Sequence, residues 1–205
     1  KIRFATVGKS MENKLQIDLQ HPMKIDSVIY HGKALAFNKR GKDAWLIDMG
    51  RTKKRSLDSL IIYYGGKPTI AKNPPWDGGW IFANDKKGRP WMTVACQGLG
   101  ASVWYPCKDH QSYEPVQGAA ITVITADSLK VVANGRLVST VKLAGGKTIT
   151  TWSVINPINN YNIVPYIGAY SNWKDSYPSN AGKQLDLSYW VIDYNIEKET
   201  PQFNK

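Results

Sequence analysis

The feature that most constrains this chain is a hydrophobic period of two that runs through nearly all of it. "KLQIDLQ", Lys14 to Gln20, places Leu15, Ile17 and Leu19 on one face and Lys14, Gln16 and Asp18 on the other. That is the pattern of a strand buried on one side only. Runs of the same kind recur as "IDSVIYHG", "AWLIDM", "DSLIIYYG", "RPWMTVAC", "AAITVITA", "LKVVANGRLVSTV", "KTITTWSVI", "YNIVPYIGAY" and "LDLSYWVIDY". Together they predict about ten strands. Turn residues separate them: "HGK" at His31 to Lys33, glycine pairs at Gly65–Gly66 and Gly145–Gly146, and Asn134–Gly135. The last of these tolerates positive φ and predicts a hairpin joining "LKVVA" to "RLVSTV". Only the tail "YNIEKETPQFNK" reads as the start of a short helix, with Glu197 and Glu199 early in it. The expected fold is all-β, an antiparallel-rich sandwich or saddle without internal repeat, and residues 1–205 are expected to form a single β domain.

Composition narrows the partners. The chain has 205 residues and 42% hydrophobic content, enough to bury a core. No apolar run approaches the roughly 18 residues that a membrane-spanning helix needs, so no membrane span is expected. "KIRFATVGKS" carries no secretory leader and reads as a strand already under way, so the chain is expected to begin inside a domain. The net charge of +11, from 27 Lys and Arg against 16 Asp and Glu, raises nucleic acid as a partner. The densest cluster, "RTKKRS" at Arg51 to Ser56, instead resembles the solvated tip of a hairpin. No RNA-recognition strand pattern accompanies it, and no nucleic-acid partner is expected. Cys96 and Cys107 with His21, His31 and His110 give no zinc-ligand spacing, so no metal site closes within the chain. For the two cysteines, a disulfide across ten intervening residues and a pair of small buried hydrophobes both remain open.

The longest irregular segment is expected from Lys67 to Arg89, "KPTIAKNPPWDGGWIFANDKKGR". Pro74–Pro75 stiffen it, Gly78–Gly79 turn it, and Trp76 and Trp80 carry apolar surface that must pack on something. That surface is the edge of the domain's own core, or another domain or a ligand. No H-E-x-x-H, G-x-S-x-G or P-loop occurs, and no complete catalytic constellation is found.

Four stretches, taken in order, carry a resemblance. They are "LQIDLQHPMKIDSVIYHGKAL"; "IIYYGGKP" running into "AKNPPWDGGWIF"; "ACQGLGASVWYPCKD"; and "LKVVANGRLVST". The third is similar to a Q-x-x-x-A-R-x-x-[FLW]-P-C-x-D segment and the fourth to a V-x-S-N-G hairpin. The chain resembles, over nearly its whole length, the N-terminal β domain of the zinc aminopeptidase family of aminopeptidase N and leukotriene hydrolase, closest to its bacterial secreted-type members. It departs from the family pattern at "HQSYEP", where an acidic residue and proline are usual, and at "NNYNIVPYIG", which replaces a "TYLLA" strand. "GKSMEN", Gly8 to Asn13, superficially matches that family's G-x-M-E-N exopeptidase motif. It has an extra residue and sits at the start of an all-β stretch, so it reads as a polar turn with Glu12 on the surface.

The resemblance implies a catalytic domain following this one, with the zinc ligands, a general base and an oxyanion-stabilising tyrosine. Zinc is thus a cofactor of the parent and is not bound by this chain. It implies a secreted or periplasmic compartment, with a cytoplasmic one open, and two partners: a peptide substrate and the catalytic domain of the same polypeptide. It implies a role for Gln97, whose amide would line the pocket of the substrate's first residue and help hold its α-amino group, with Gly98 allowing close backbone approach. Pro106 and Asp109 read as structural, Asp109 capping a turn through its own backbone, and Cys96 and Cys107 as core residues. The alternative is a secreted β-sandwich that binds carbohydrate or protein on an exposed row of its 8 Trp and 11 Tyr. The peptidase reading expects Trp76, Trp80 and Trp104 packed inside or against a neighbouring domain.

Overall fold

The computed structural model of the chain describes residues 1–5, 13–50, 57–178, 182 and 184–203. The expected turn around Glu12 and the Arg51–Ser56 cluster lie outside the described residues. The chain divides into two compact units, each assembled from three stretches. The first comprises Lys1–Ile81, Val94–Ala119 and Ile155–Val164, and the second Phe82–Thr93, Ala120–Val154 and Pro165–Lys205.

The first unit contains β1 (Ile2–Ala5), β2 (Lys14–Asp18), β3 (Lys24–Tyr30), β4 (Lys33–Ala34), β5 (Phe37–Arg40), β6 (Ala44–Asp48) and β7 (Leu57–Gly65). They form two sheets, ordered β1-β7-β3-β4 and β2-β6-β5, paired antiparallel throughout. Their inner faces close on Ile17, Leu19, Ile25, Val28, Trp45, Ile47, Met49 and Leu60. The alternation in "KLQIDLQ" is realised as read: Ile17 and Leu19 are buried while Lys14 and Gln16 are exposed. Burying each such aliphatic side chain stabilises the unit by about 2 kcal/mol. Trp45 packs its ring in this core and donates Nε1–H to the Leu19 carbonyl at 3.1 Å, so its one polar atom is satisfied. "HGK" is a turn as expected, and in the structure it closes a two-residue hairpin in which Tyr30 pairs with Lys33.

Next come β8 (Gly79–Asn84) and β9 (Pro90–Ala95), then β10 (Ala119–Ala126), β11 (Lys130–Val132), β12 (Arg136–Leu143), β13 (Lys147–Val154), β14 (Tyr166–Gly168), β15 (Tyr170–Pro178), β16 (Gln184–Ile192) and α1 (Ile196–Phe203). The sheets run β11-β14-β9-β8, β10-β13-β12 and β15-β16. In the second unit Leu129, Val131, Trp152 and Ile167 form the buried cluster. Trp152 donates to the Val131 carbonyl at 2.8 Å and meets Trp190 edge-on at 5.7 Å.

The all-β class and the helical tail stand, but the described residues hold sixteen strands rather than ten. β5 carries Lys39 and Arg40 exposed at a sheet edge, and edge strands protected by charge have little hydrophobic alternation to read. β15, "YSNWKDSYP", is mostly polar and held by nine-register pairing to β16 alone. The segment 67–89 is not irregular throughout, because β8 lies within it. "YNIVPYIGAY" is not one strand: a 3-10 turn occupies Asn160–Asn162, and buried Pro165, which has no N–H for a ladder, precedes β14.

The Asn134–Gly135 hairpin does not form. β11 pairs with β14 and β12 with β13, so the dipeptide is a link between two sheets. Gly135 has φ +88, and a side chain there would run into the Ser153 carbonyl, so close approach demands this glycine. The tip of the β12–β13 hairpin is instead Gly145–Gly146.

The chain entering α1 is clamped by Arg89. Its guanidinium makes a bidentate pair with Asp193 at 2.5 and 2.6 Å, a second contact with Asp85 at 2.8 Å, and lies over the Tyr194 ring at 5.8 Å. The Arg89 hydrogen bonds hold the Asp193 carboxyl down at about 2, so the pair stays ionised across the ordinary pH range.

Candidate functional site: the Gln97 turn

Gln97 stands where β9 ends. Cys96 is buried, and its carbonyl accepts the N–H of Leu99 at 3.2 Å and of Gly100 at 2.8 Å, closing a tight turn with Gln97 and Gly98 exposed at its apex. Gly98 has φ +69, and nothing lies within 4 Å of where a Cβ would project, so open space faces its backbone. Two neighbours fix the turn from below. Gln20, just past β2, donates Nε2–H to the Leu99 carbonyl at 2.5 Å and to Ser102 Oγ at 2.9 Å. Gly78 lies so close that a Cβ there would come within 2.7 Å of the Gln97 carbonyl oxygen and 2.8 Å of the Leu99 side chain.

The Gln97 side chain is not loose. Tyr161 donates its hydroxyl to Gln97 Oε1 at 2.7 Å. Tyr161 sits on the Asn160–Asn162 turn, whose residues are themselves tied down. Asn159 caps it by accepting the Tyr161 N–H at 2.9 Å and donates its own amide to the Gln111 carbonyl. Asn160, 4% exposed, donates to the Lys108 carbonyl at 2.9 Å and accepts the Tyr105 hydroxyl at 3.3 Å. Burial pushes the Tyr105 hydroxyl well above the usual range, so it remains a donor. Tyr161 is not among the residues that the sequence points to, because alternation places it in a strand. The signal that could have found it is the polarity of "PINNYN", since successive asparagines favour side-chain capping of turns over ladder pairing.

Asp109 is structural, but in a different way from that expected. Its carboxylate reaches back to the N–H groups of Ala101 (3.2 Å) and Ser102 (3.0 Å) instead of its own turn, capping the 3-10 turn Ala101–Val103 that follows the Gln97 apex. Its own N–H donates to Asp18 Oδ2 at 3.0 Å. Pro106 is buried, and Cys107 bridges Asp18 through two backbone hydrogen bonds of 2.8 and 3.1 Å. Cys96 and Cys107 are both free thiols and both core residues, 3% and 5% exposed. Burial pushes the Cys96 thiol up to about 12 and Cys107 well above its usual value. Both thiols are therefore expected to resist a thiol reagent at about pH 8 in the native protein and to react in denaturing guanidinium. Rapid native labelling of either would contradict this burial.

The tryptophans separate. Trp80 and Trp104 pack edge-on at 6.1 Å beside Val94, Cys96, Val103 and Val164, so they line a core and are not part of an exposed stacking row. Trp76 is 83% exposed, on a turn held by Asp77, whose carboxylate accepts the N–H groups of Lys72 and Asn73 at 2.6 and 2.8 Å. The residues present do not fit a metal: among the described residues no group of three or more His, Cys, Asp or Glu side chains could hold one. Nor is any described helix long and apolar enough to cross a membrane.

No protein-family profile matches this sequence, and no curated protein matches it. Solved structures do share its fold. A two-domain M1 zinc metallopeptidase bound to L-arginine matches with a TM-score of 0.73 at 14% identity, over 93% of this chain and 42% of that chain. The M1 zinc metallopeptidase from Deinococcus radiodurans matches at 0.71 and 13%, over 93% and 42%. Legionella pneumophila aminopeptidase A in complex with aspartic acid matches at 0.69 and 18%, over 96% and 22%. The chain thus has a fold found within M1 zinc metallopeptidases. It spans less than half the length of each of these proteins.

Proposed function

We propose that residues 1–205 make up the N-terminal, non-catalytic β domain of a zinc metallo-aminopeptidase that removes N-terminal residues from peptides. The observation that carries this reading is the shared fold across 93% of the chain with metallopeptidases more than twice its length. In this reading zinc and the residues that hold it belong to the catalytic domain, and the chain's contribution is to substrate binding. Gln97 and Gly98 form that contribution. The amide oxygen of Gln97 has one lone pair engaged by Tyr161 and a second available to the ammonium of a peptide's first residue. A neutral amide accepts from an ammonium without bringing a second full charge into the cleft. Gly98, with open space in front of it, lets a peptide backbone approach.

The test uses the full-length polypeptide. Gln97→Ala removes a hydrogen bond to a charged group and is expected to lower kcat/KM by about tenfold or more, chiefly through KM, with zinc content unchanged. An unaltered KM and first-residue preference would sink the assignment.

A further inference from the structure

We infer that Tyr161 is a positioning residue for substrate binding, holding the Gln97 amide in the one orientation that can receive an α-amino group. This rests on the proposed aminopeptidase reading.

An exposed glutamine samples several rotamers and both faces of its amide. Fixing such a side chain on binding carries a cost in conformational entropy. In this protein the cost has been met in advance. The Tyr161 hydroxyl donates to the amide oxygen at 2.7 Å, and that bond holds the oxygen end of the amide toward Tyr161. Tyrosine suits the task because its ring has only two rotatable angles.

The mounting behind Tyr161 is thorough for a surface turn. Asn159 caps it, and Asn160 is buried with hydrogen bonds to Tyr105 and to the Lys108 carbonyl. Gln97 and Tyr161 are brought together across 64 positions of sequence, with each backbone already secured by its own turn. The hydroxyl contact adds little to holding those turns, and what it does control is the amide. Once Oε1 is held, the planar group presents a remaining lone pair beside an N–H pair. That is the complement of an ammonium next to a carbonyl, the arrangement at the N-terminus of a peptide.

The experiment compares Tyr161→Phe, Gln97→Ala and the double variant in the full-length polypeptide, with an aminoacyl anilide as probe. Tyr161→Phe removes one oxygen and leaves the ring. The expected result is a rise in KM of about fivefold with kcat unchanged, and no additional effect of Tyr161→Phe once Gln97 is alanine. In the 205-residue chain the Gln97 side-chain amide resonances should shift on Tyr161→Phe while the melting temperature holds. If Gln97→Ala raises KM and Tyr161→Phe does not, the positioning role is overturned and the function stands. If neither raises KM, both are overturned. Equal KM effects of Tyr161→Phe in the presence and absence of the Gln97 amide would also overturn it, since Tyr161 would then act independently.

Discussion

Replacing Gly78 by alanine is expected to destabilise the first unit by about 2 kcal/mol and to displace the Gln97 turn. The added Cβ would sit 2.7 Å from the Gln97 carbonyl oxygen and 2.8 Å from the Leu99 side chain, inside van der Waals contact with both. Leu99 is 39% exposed and can swing aside, but the Gln97 carbonyl is backbone and moves only if the turn moves. That turn is tied by the Cys96 carbonyl and by Gln20, so the strain has no inexpensive outlet. Gly98→Ala provides the contrast. Its Cβ would meet nothing within 4 Å, and the substitution carries only the strain of a left-handed φ, about 1 kcal/mol. Urea denaturation of the two variants should separate these costs. Equal losses would mean that Gly78 is tolerated by a turn softer than its hydrogen bonds imply.

Asp109→Ala is expected to cost more, about 3 kcal/mol, because it removes the acceptor of two N–H groups at once. Ala101 and Ser102 are 0% and 2% exposed, so water cannot replace the carboxylate at their amides without opening the turn. Asp109→Asn retains one carbonyl oxygen and should lose about half as much. The measurement is again the denaturation midpoint at neutral pH. A loss of less than about 0.5 kcal/mol for the alanine variant would show that the turn is held by other contacts. On the proposed role of Gln97, substrate binding should weaken with it, since the capped turn follows directly on the C-terminal side of the Gln97 apex.

Much of the first unit is legible in the amino-acid pattern. Period-two alternation identifies β2, β3, β6 and β7, and along "KLQIDLQ" it names the side that is buried, as Ile17 and Leu19 bear out. The strands that escape, β4, β5, β8 and β15, are ones whose exposure on both faces or at an edge weakens that alternation. Asn134–Gly135 has the composition of a tight hairpin, but its flanking strands take other partners and the glycine is needed for a close approach to Ser153 instead. Gln97 and Gly98 are singled out only by the family resemblance that the cysteine-containing stretch helps to carry, and their part in substrate binding is the proposal made above. Tyr161 is not, since nothing in its own neighbourhood refers to a residue 64 positions away.

Residue order alone was enough for the all-β class, the inward face of β2 and the helical tail. These depend on side-chain chemistry within the length of one strand or one turn, where spacing decides which residues share a face. Packing in three dimensions settled which strands pair, where the Asp109 carboxylate places its two acceptors, and which hydroxyl meets the Gln97 amide. Those choices are made by closing long loops against a common core, and a hydrogen bond across such a closure leaves no periodic trace in the chain that forms it.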